Sequence, residues 1–433
     1  MRLIARLRQS SYAVLFGNVV ARVAALGSLL LATLLVARDG GPAVVGVYAL
    51  LHVLPGLLGM IVSAGLTVAV PYFLAGPHRD DRRLPLTLVA MALAGGGAGT
   101  ALWVAGAPLI GELLFPDLSV GLVAVAGFAV LTRLIVITAK ACSQGSDDLP
   151  GANRVIFTEE FLFLPAYGLL SAAGESGFTA VVASLLIADV TAASLAWSRL
   201  VRRGFFAGAR RPSPHLARRV AAFGIRAQVG GLISQLNLRL DFILLTVLTG
   251  PAVLGVYAIA SKFAELLKIV GMALTYVLYP KYAREGRARA SEGVRRLIPR
   301  AGLLTAAMAV SLWLAAGFVI PAFYGSEFEG AVTPARIILL GLLLEGVAAV
   351  ITAYLYGVGR PGLNSWAMAA GLVVTVALDL ALIPAHEAVG AAIASALAYT
   401  TTSVALISFF WWVEREKPAP SFKTGNFSEA EAQ

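Results

Sequence analysis

Cysteine occurs once, at Cys142, in a chain of 433 residues. A single thiol cannot close an intramolecular disulfide, and it leaves no metal-ligand spacing to read. Charge is scarce too, with Asp, Glu, Lys and Arg making up 13% of the chain. No GxxxxGK(S/T) run occurs, so the loop that cradles nucleotide phosphates is absent. Large polar segments are also missing. The longest loops on the side read below as outer run to about a dozen residues and carry no cluster of catalytic acids or histidines. That argues against a membrane glycosyltransferase or polymerase, which needs such a cluster on a sizeable loop.

What is present is hydrocarbon: 58% of residues are hydrophobic, and the mean hydropathy is +0.82. Apolar stretches of 20 or more residues recur. Each is long enough to cross about 30 Å of lipid as a helix. The runs are continuous rather than alternating, which favours helices over barrel strands. The opening MRLIARLRQ has the basic character of a signal peptide, but the apolar segment behind it is too long for one and reads as a first span. Twelve spans are predicted: 11–37, 43–72, 85–106, 119–141, 153–173 and 177–199, then 221–248, 252–280, 301–322, 334–357, 363–384 and 389–413.

The segment GPAVVGVYAL (Gly41 to Leu50) returns 209 residues later as GPAVLGVYAI (Gly250 to Ile259), with eight of ten positions identical. Leu57/Leu266, Leu58/Leu267, Val68/Val277 and Pro71/Pro280 keep the same offset. Duplication explains this most simply. Six spans per half bring both halves into the membrane in the same sense, the parallel-repeat arrangement of transporters. The expected organisation is an N-terminal six-helix lobe (1–200), a basic cytoplasmic linker (201–220), a C-terminal six-helix lobe (221–413) and a disordered tail (414–433).

Lys and Arg fall almost wholly on one side of these spans. They include Arg2, Arg6, Arg8, Arg79, Arg82, Arg83, Arg154, the arginines of 199–219 and 284–300, Arg360, Arg415, Lys417 and Lys423. The other side holds Arg38 with Asp39, Glu112, Asp117, Glu175, Glu327, Glu329 and Glu387. By the positive-inside rule both termini are cytoplasmic. The net charge of +10 then reflects topology and attraction to anionic lipids. No groove-reading element accompanies it, so nucleic acid is not an expected partner. The loops 199–220 and 281–300 are expected to carry short interfacial amphipathic helices.

Ionisable side chains inside spans are costly and mark functional candidates. The cations Arg22, Arg133, Lys140, Arg239, Lys262 and Lys268 and the acids Glu159, Glu160, Asp189, Asp241, Glu265, Glu345 and Asp379 all fall there. At helical spacing Ser261, Lys262, Glu265 and Lys268 share a face of span 8. In span 7, Gln228, Gln235, Arg239 and Thr246 share one face and Ser234, Asn237 and Asp241 another. Asn18, Arg22 and Thr33 align in span 1. Arg239 and Lys262 lie about 15 Å below the outer ends of their spans, and Arg22, Arg133 and Lys268 about 20–24 Å below theirs. Arg22, Arg133, Arg239, Lys262 and Lys268 are the candidates for holding an anionic group. Glu159, Glu160, Asp189, Asp241, Glu265 and Glu345 either couple transport to an ion or pair with those cations. Arg239 with Asp241 and Lys262 with Glu265 are the obvious structural pairings. Pro55, Pro165 and the run from Ala94 to Gly99 are candidate hinges. His52 is either a hydrogen-bonded core histidine or a proton relay.

LNLRLDFILL (236–245), the doubled GPAVxGVYA, FYGSEF (323–328) before an apolar span, and ALDLALIPAHEAVGAAIASALAY (377–399) occur in that order. Together they give a chain that resembles the polysaccharide transporter family of lipid-linked oligosaccharide flippases (the Wzx type). These belong to the multidrug/oligosaccharidyl-lipid/polysaccharide (MOP) export superfamily. One departure is HEAVGAA, where the family has a glycine-containing turn. The resemblance implies an all-α, V-shaped membrane protein of two six-helix lobes, not an enzyme, that works by alternating access. It implies a polyprenyl-diphosphate-linked sugar as substrate, in the cytoplasmic membrane of a bacterium or archaeon, beside polysaccharide polymerase machinery. Basic residues of spans 1, 7 and 8 line such cavities, and Arg22, Arg239, Lys262 and Lys268 stand on those spans. No cofactor is expected beyond H⁺ or Na⁺ as a coupling ion. The rival from the same superfamily is an ion-coupled multidrug exporter, whose cavity favours carboxylates and aromatics. A lipid II flippase has two further spans.

Overall fold

The computed structural model describes residues 2–76 and 79–416. The side chains of 2–16, Ser234, Asn237, Tyr276 and Pro280, the burial of Gly230, and all of 417–433, fall outside the described residues. The expectations for Arg2, Arg6, Arg8, the second face of span 7, Lys417, Lys423 and the tail beyond residue 416 are therefore left there. The described chain is helical almost throughout and contains no strand.

The helices are α1 (Arg2–Val62), α2 (Leu66–Ala75), α3 (Leu84–Leu114), α4 (Val120–Ala126), α5 (Phe128–Gly145), α6 (Leu149–Phe161), α7 (Phe163–Ala172) and α8 (Gly177–Arg202). A linker leads to α9 (Pro214–Thr249), α10 (Pro251–Glu265), α11 (Lys268–Glu285), α12 (Arg287–Tyr324), a 3₁₀ turn (Ser326–Ala331), α13 (Val332–Gly341), α14 (Glu345–Gly357) and α15 (Pro361–Arg415). α1 and α15 each double back. Gly41 leaves helical geometry at φ 68°, and Glu387 does so at φ 48°. Every predicted span falls on a helix or a broken pair. Among the described residues seven helical stretches are long and apolar enough to cross a membrane, or eight if Ser326–Gly341 and Glu345–Gly357, bent by 46°, count as one. Neither α9 nor the α10–α11 pair is among them, and these are the polar spans 7 and 8.

The breaks are not all where the sequence suggests. α3 runs unbroken through the glycines at 95–97, and α1 runs through Pro55. Span 2 instead breaks at 63–65, where Ala64 and Gly65 take positive φ. Pro165 does break its span: α6 ends at Phe161, the residue whose carbonyl a helical proline would crowd. The expected interfacial helices do not form separately. Residues 287–300 are the first turns of α12, and 203–213 is a run of turns and irregular chain.

Three apolar clusters define the shape. At the end carrying the acidic loops one cluster joins both halves, with Tyr48, Leu50 and Phe163 of the first packed with Phe242, Tyr257 and Phe328 of the second. At the arginine-rich end there are two separate cores. One, around Leu66, Phe73, Leu84 and Val136, includes the start of α9 at Leu216 and Val220. The other surrounds Tyr282, Val350, Tyr354 and Phe410. α10 packs along α1, whereas α11 packs on α12 and α14 and makes no comparable contact with α1–α8. The halves are thus joined at the acidic end and diverge toward the basic end.

The doubled decapeptide is the joint itself. A Cβ on Gly46 would stand 2.7 Å from the carbonyl carbon of Pro251, and one on Gly255 2.7 Å from that of Pro42. The two copies cross backbone to backbone about a local two-fold. Apolar burial gives little drive between helices in lipid, so close approach at small residues supplies the attraction. Arg38 adds hydrogen bonds to the carbonyls of Phe323 (2.8 Å) and Ala322 (3.1 Å) across the same seam. α9 ties the halves a second time. Near its start Gly224 meets Gly65 backbone to backbone, Gln228 donates to the Met60 carbonyl, and Phe223 stacks on Tyr72 at 4.3 Å. Its far end packs against α15.

Candidate functional site

Lys262 sits one turn before α10 ends, on the side facing α1. Its Nζ donates to Thr33 Oγ1 at 2.6 Å. The Thr33 hydroxyl spends its own proton on the Leu29 carbonyl (2.8 Å), which leaves its lone pairs free for the ammonium. The same Nζ lies 5.1 Å from the centre of the Tyr48 ring. Lys262 is 7% exposed, and no carboxylate among the described residues lies within ion-pair distance of it. A buried cation is normally paired. Among the described residues this one is held by a hydroxyl and a ring face, both supplied by the other half of the chain.

Around it the polar side chains continue on both sides. In the first half the Tyr48 ring neighbours that of His52 at 6.0 Å, and His52 Nε2 lies 3.5 Å from Glu160 Oε1. Arg133 donates to the His52 carbonyl at 2.9 Å and stands 3.5 Å from Asp189, which also accepts from Thr132 at 3.1 Å. In the second half Arg239 lies 3.6 Å from Glu265 and 5.3 Å from the centre of the Phe242 ring. Both members of the Arg239–Glu265 pair keep roughly a quarter of their surface open.

The remaining sequence candidates lie apart. Arg22 is exposed on the first limb of α1 and donates to Asn18 at 3.0 Å, and Asn18 bonds Asn153 at 2.7 Å. Lys140 pairs with Glu159 at 3.1 Å inside the first half. Lys268 opens α11 beyond the break at Leu266–Leu267, with its Nζ 4.0 Å from the centre of the Tyr399 ring. Glu345 lies beside Gly271 one turn further along. The break divides the span 8 stripe, so Lys262 turns to the first half and Lys268 into the second. Neither obvious pairing forms: Arg239 takes Glu265, and Asp241 takes Tyr257.

That second pairing joins Asp241 to residues the stripes did not single out, Tyr257 and Ser395. Asp241 accepts from Tyr257 Oη at 2.7 Å and from the Phe242 amide at 2.9 Å, and Ser395 Oγ bonds the same phenol at 2.8 Å. Asp379 is fully buried, and neither carboxylate oxygen has a hydrogen-bond partner among the described residues. It lies near enough to Asp241 for their charges to interact. The signal was the repeated tyrosine. Tyr48 of the first copy lies under Lys262, and Tyr257 of the second donates to Asp241.

Two half-bundles are joined at one end, with charged side chains at the junction, and known structures share this fold. The chain superposes with a TM-score of 0.74 on an inward-facing multidrug resistance MATE family transporter of the MOP superfamily (16% identity, 92% of this chain and 97% of that one). It does so equally, at 0.74, on lipid II flippase MurJ in an inward closed conformation (13% identity, 93% and 87%). A MOP superfamily transporter from Pyrococcus furiosus gives 0.60 (15% identity, 93% and 94%). No curated protein matches in sequence. The profile described as "Polysaccharide biosynthesis protein" matches residues 35–333, and the chain belongs to that family. It is a multi-pass membrane protein with a MATE- and MurJ-like fold.

Proposed function

We propose that the chain is a flippase. It carries a polyprenyl-diphosphate-linked oligosaccharide from the cytoplasmic to the outer leaflet of a bacterial or archaeal membrane, for cell-surface polysaccharide. In this reading the basic end and both termini face the cytoplasm. The observation that carries it is Lys262, a buried ammonium between the halves with no carboxylate at ion-pair distance among the described residues. Separating the halves frees that charge from Thr33 and Tyr48, and a phosphate group can replace them. Arg239, beside it, has a partly open guanidinium. Lys268, Arg22 and Arg133 line the route or position it. Substrate that enters where the halves diverge meets these cations before the joint. An inside-negative potential assists outward movement of the headgroup by about 2.3 kcal/mol per charge per 100 mV.

The likeness to a lipid II flippase supports a lipid-linked sugar as the cargo class. Asp241 and Asp379 are the carboxylates best placed to couple transport to H⁺ or Na⁺. An unpartnered buried carboxylate is costly unless it binds a proton or a cation. Asp379→Asn then keeps the fold and removes the ion dependence of transport, read in proteoliposomes with and without an ion gradient. Unchanged ion dependence removes Asp379 from the coupling.

The second reading, an ion-coupled multidrug exporter, draws on Glu160 and Glu265 at the same junction and on the equal likeness to a MATE transporter. Deleting the gene separates the two. The flippase reading predicts lipid-linked sugar accumulating on the inner leaflet. The exporter reading predicts drug sensitivity without that accumulation.

A further inference from the structure

We propose that the cleft between the α2–α3 loop and the α8–α9 linker binds the phosphate headgroup of an anionic membrane lipid, and that this lipid braces the start of α9.

The basic end is rich in arginine, and part of its charge is neutralised by acids. Arg199 and Arg203 share Asp148 at 2.7 and 3.6 Å. Arg295 takes Glu414 at 2.9 Å, and Arg287 and Arg360 share Glu416 at 4.0 and 2.8 Å. Arg83, Arg210 and Arg211 differ. All three are exposed and line one cleft of about 690 Å³ with Ser213, and none forms an ion pair among the described residues. Arg82 adds a fourth charge at its edge, its side chain lying along Gly208. The neighbouring acids do not quench the set. Asp81 accepts from the Arg83 backbone amide at 2.9 Å, and Asp80 forms no ion pair among the described residues. Three guanidinium groups on one concave surface suit a phosphate oxygen cluster.

The place suits a lipid. The cleft lies where α8 ends at Arg202 and α3 and α9 begin. Phe206 stacks on Trp197 at 6.0 Å, with Phe205 edge-on to Phe206 at 5.0 Å, an aromatic group of the kind found at headgroup depth. The cleft is also mechanically placed. The linker is strapped to the first half by Arg210 N to the Arg82 carbonyl (2.7 Å) and Ser213 N to Thr87 Oγ1 (3.0 Å). From there α9 crosses to α15 of the second half. A bound headgroup screens four like charges at this strap and holds α9 to the first half.

The test uses the full chain in nanodiscs of phosphatidylcholine with increasing phosphatidylglycerol, read by retained lipid in native mass spectrometry and by the thermal midpoint. Arg83→Gln, Arg210→Gln and Arg211→Gln together should weaken phosphatidylglycerol binding on the order of 100-fold. The matching Lys triple should restore most of it. A control triple at Arg284, Arg289 and Arg300, also exposed and outside ion pairs among the described residues but away from the cleft, should change binding by no more than a few-fold. Neither bond of the strap uses an arginine side chain, so the Gln triple should fold. Equal losses in the cleft and control triples, or none in the cleft triple, overturn the site. Protection by excess inorganic phosphate equal to that by lipid overturns the lipid as its ligand.

Discussion

Adding one methyl group at the joint should open it. In Gly46→Ala the new Cβ lies 2.7 Å from the Pro251 carbonyl carbon and nearer still to its oxygen. Ordinary carbon contacts are about 3.5–4.0 Å, so the backbones must part by roughly 1 Å. Both sides are helix backbone, so no rotamer change relieves the overlap, and the halves must separate at the acidic end. Overpacking of this kind costs about 1–3 kcal/mol. Set against a two-state equilibrium, that shifts the population away from the joined state by about 5–150-fold. Gly255→Ala meets the mirror contact at Pro42, so the double variant should add little to either single one. The assay is a spin-label distance between Asp117→Cys and Glu329→Cys, exposed at the acidic end of each half, in a Cys142→Ala background. The expected result is a longer distance in Gly46→Ala and none in Gly27→Ala, where a Cβ meets nothing within 4 Å. An unchanged distribution in folded Gly46→Ala protein would refute the role of the joint.

Asp148 caps the Gly151 amide (3.1 Å) and binds Arg199 by two bonds of 2.7 and 2.8 Å. The bonds from Arg199 hold its carboxyl below the usual range. The stabilisation is therefore complete above the ordinary carboxylate pKa and lost as pH falls through the lowered one. Asp148→Asn should cost about 2–3 kcal/mol at neutral pH and flatten the acid limb of a thermal-midpoint profile; an unchanged limb contradicts the assignment. Glu387 holds φ 48° at the turn inside α15, a conformation that costs a non-glycine residue about 1–3 kcal/mol. Glu387→Gly should raise the thermal midpoint and Glu387→Val lower it, and the reverse order would show that the turn is not strained.

The duplication was legible because near-identical decapeptides need no structure to be recognised. That the two copies touch was not, since an offset of 209 residues carries no distance. The helical course of the chain could be read from its apolar runs. Its breaks at Gly127, Leu266–Leu267 and 342–344 could not, because no proline marks them and packing decides them. Among the candidates, Lys262 was visible as a charge in lipid, but its partners Thr33 and Tyr48 lie in the other half. Arg239 chose Glu265 over the nearer Asp241 because Asp241 is engaged by Tyr257 and the Phe242 amide. Asp379 was visible as one more acid; only its surroundings show that neither of its oxygens has a hydrogen-bond partner among the described residues. The missing glycine before GAA has its answer in Glu387, which takes the positive φ itself.

The central claim is that Lys262 receives the anionic headgroup when the halves part. Its most direct measurement is the rate at which the purified chain moves a labelled polyprenyl-diphosphate sugar between leaflets of proteoliposomes, compared across Lys262→Gln, Lys262→Arg and the unaltered protein. Loss of about 10–100-fold in Lys262→Gln, the value of one charge-assisted hydrogen bond or two, with substantial rescue by Lys262→Arg, is the predicted result. Equal rates in all three would contradict it.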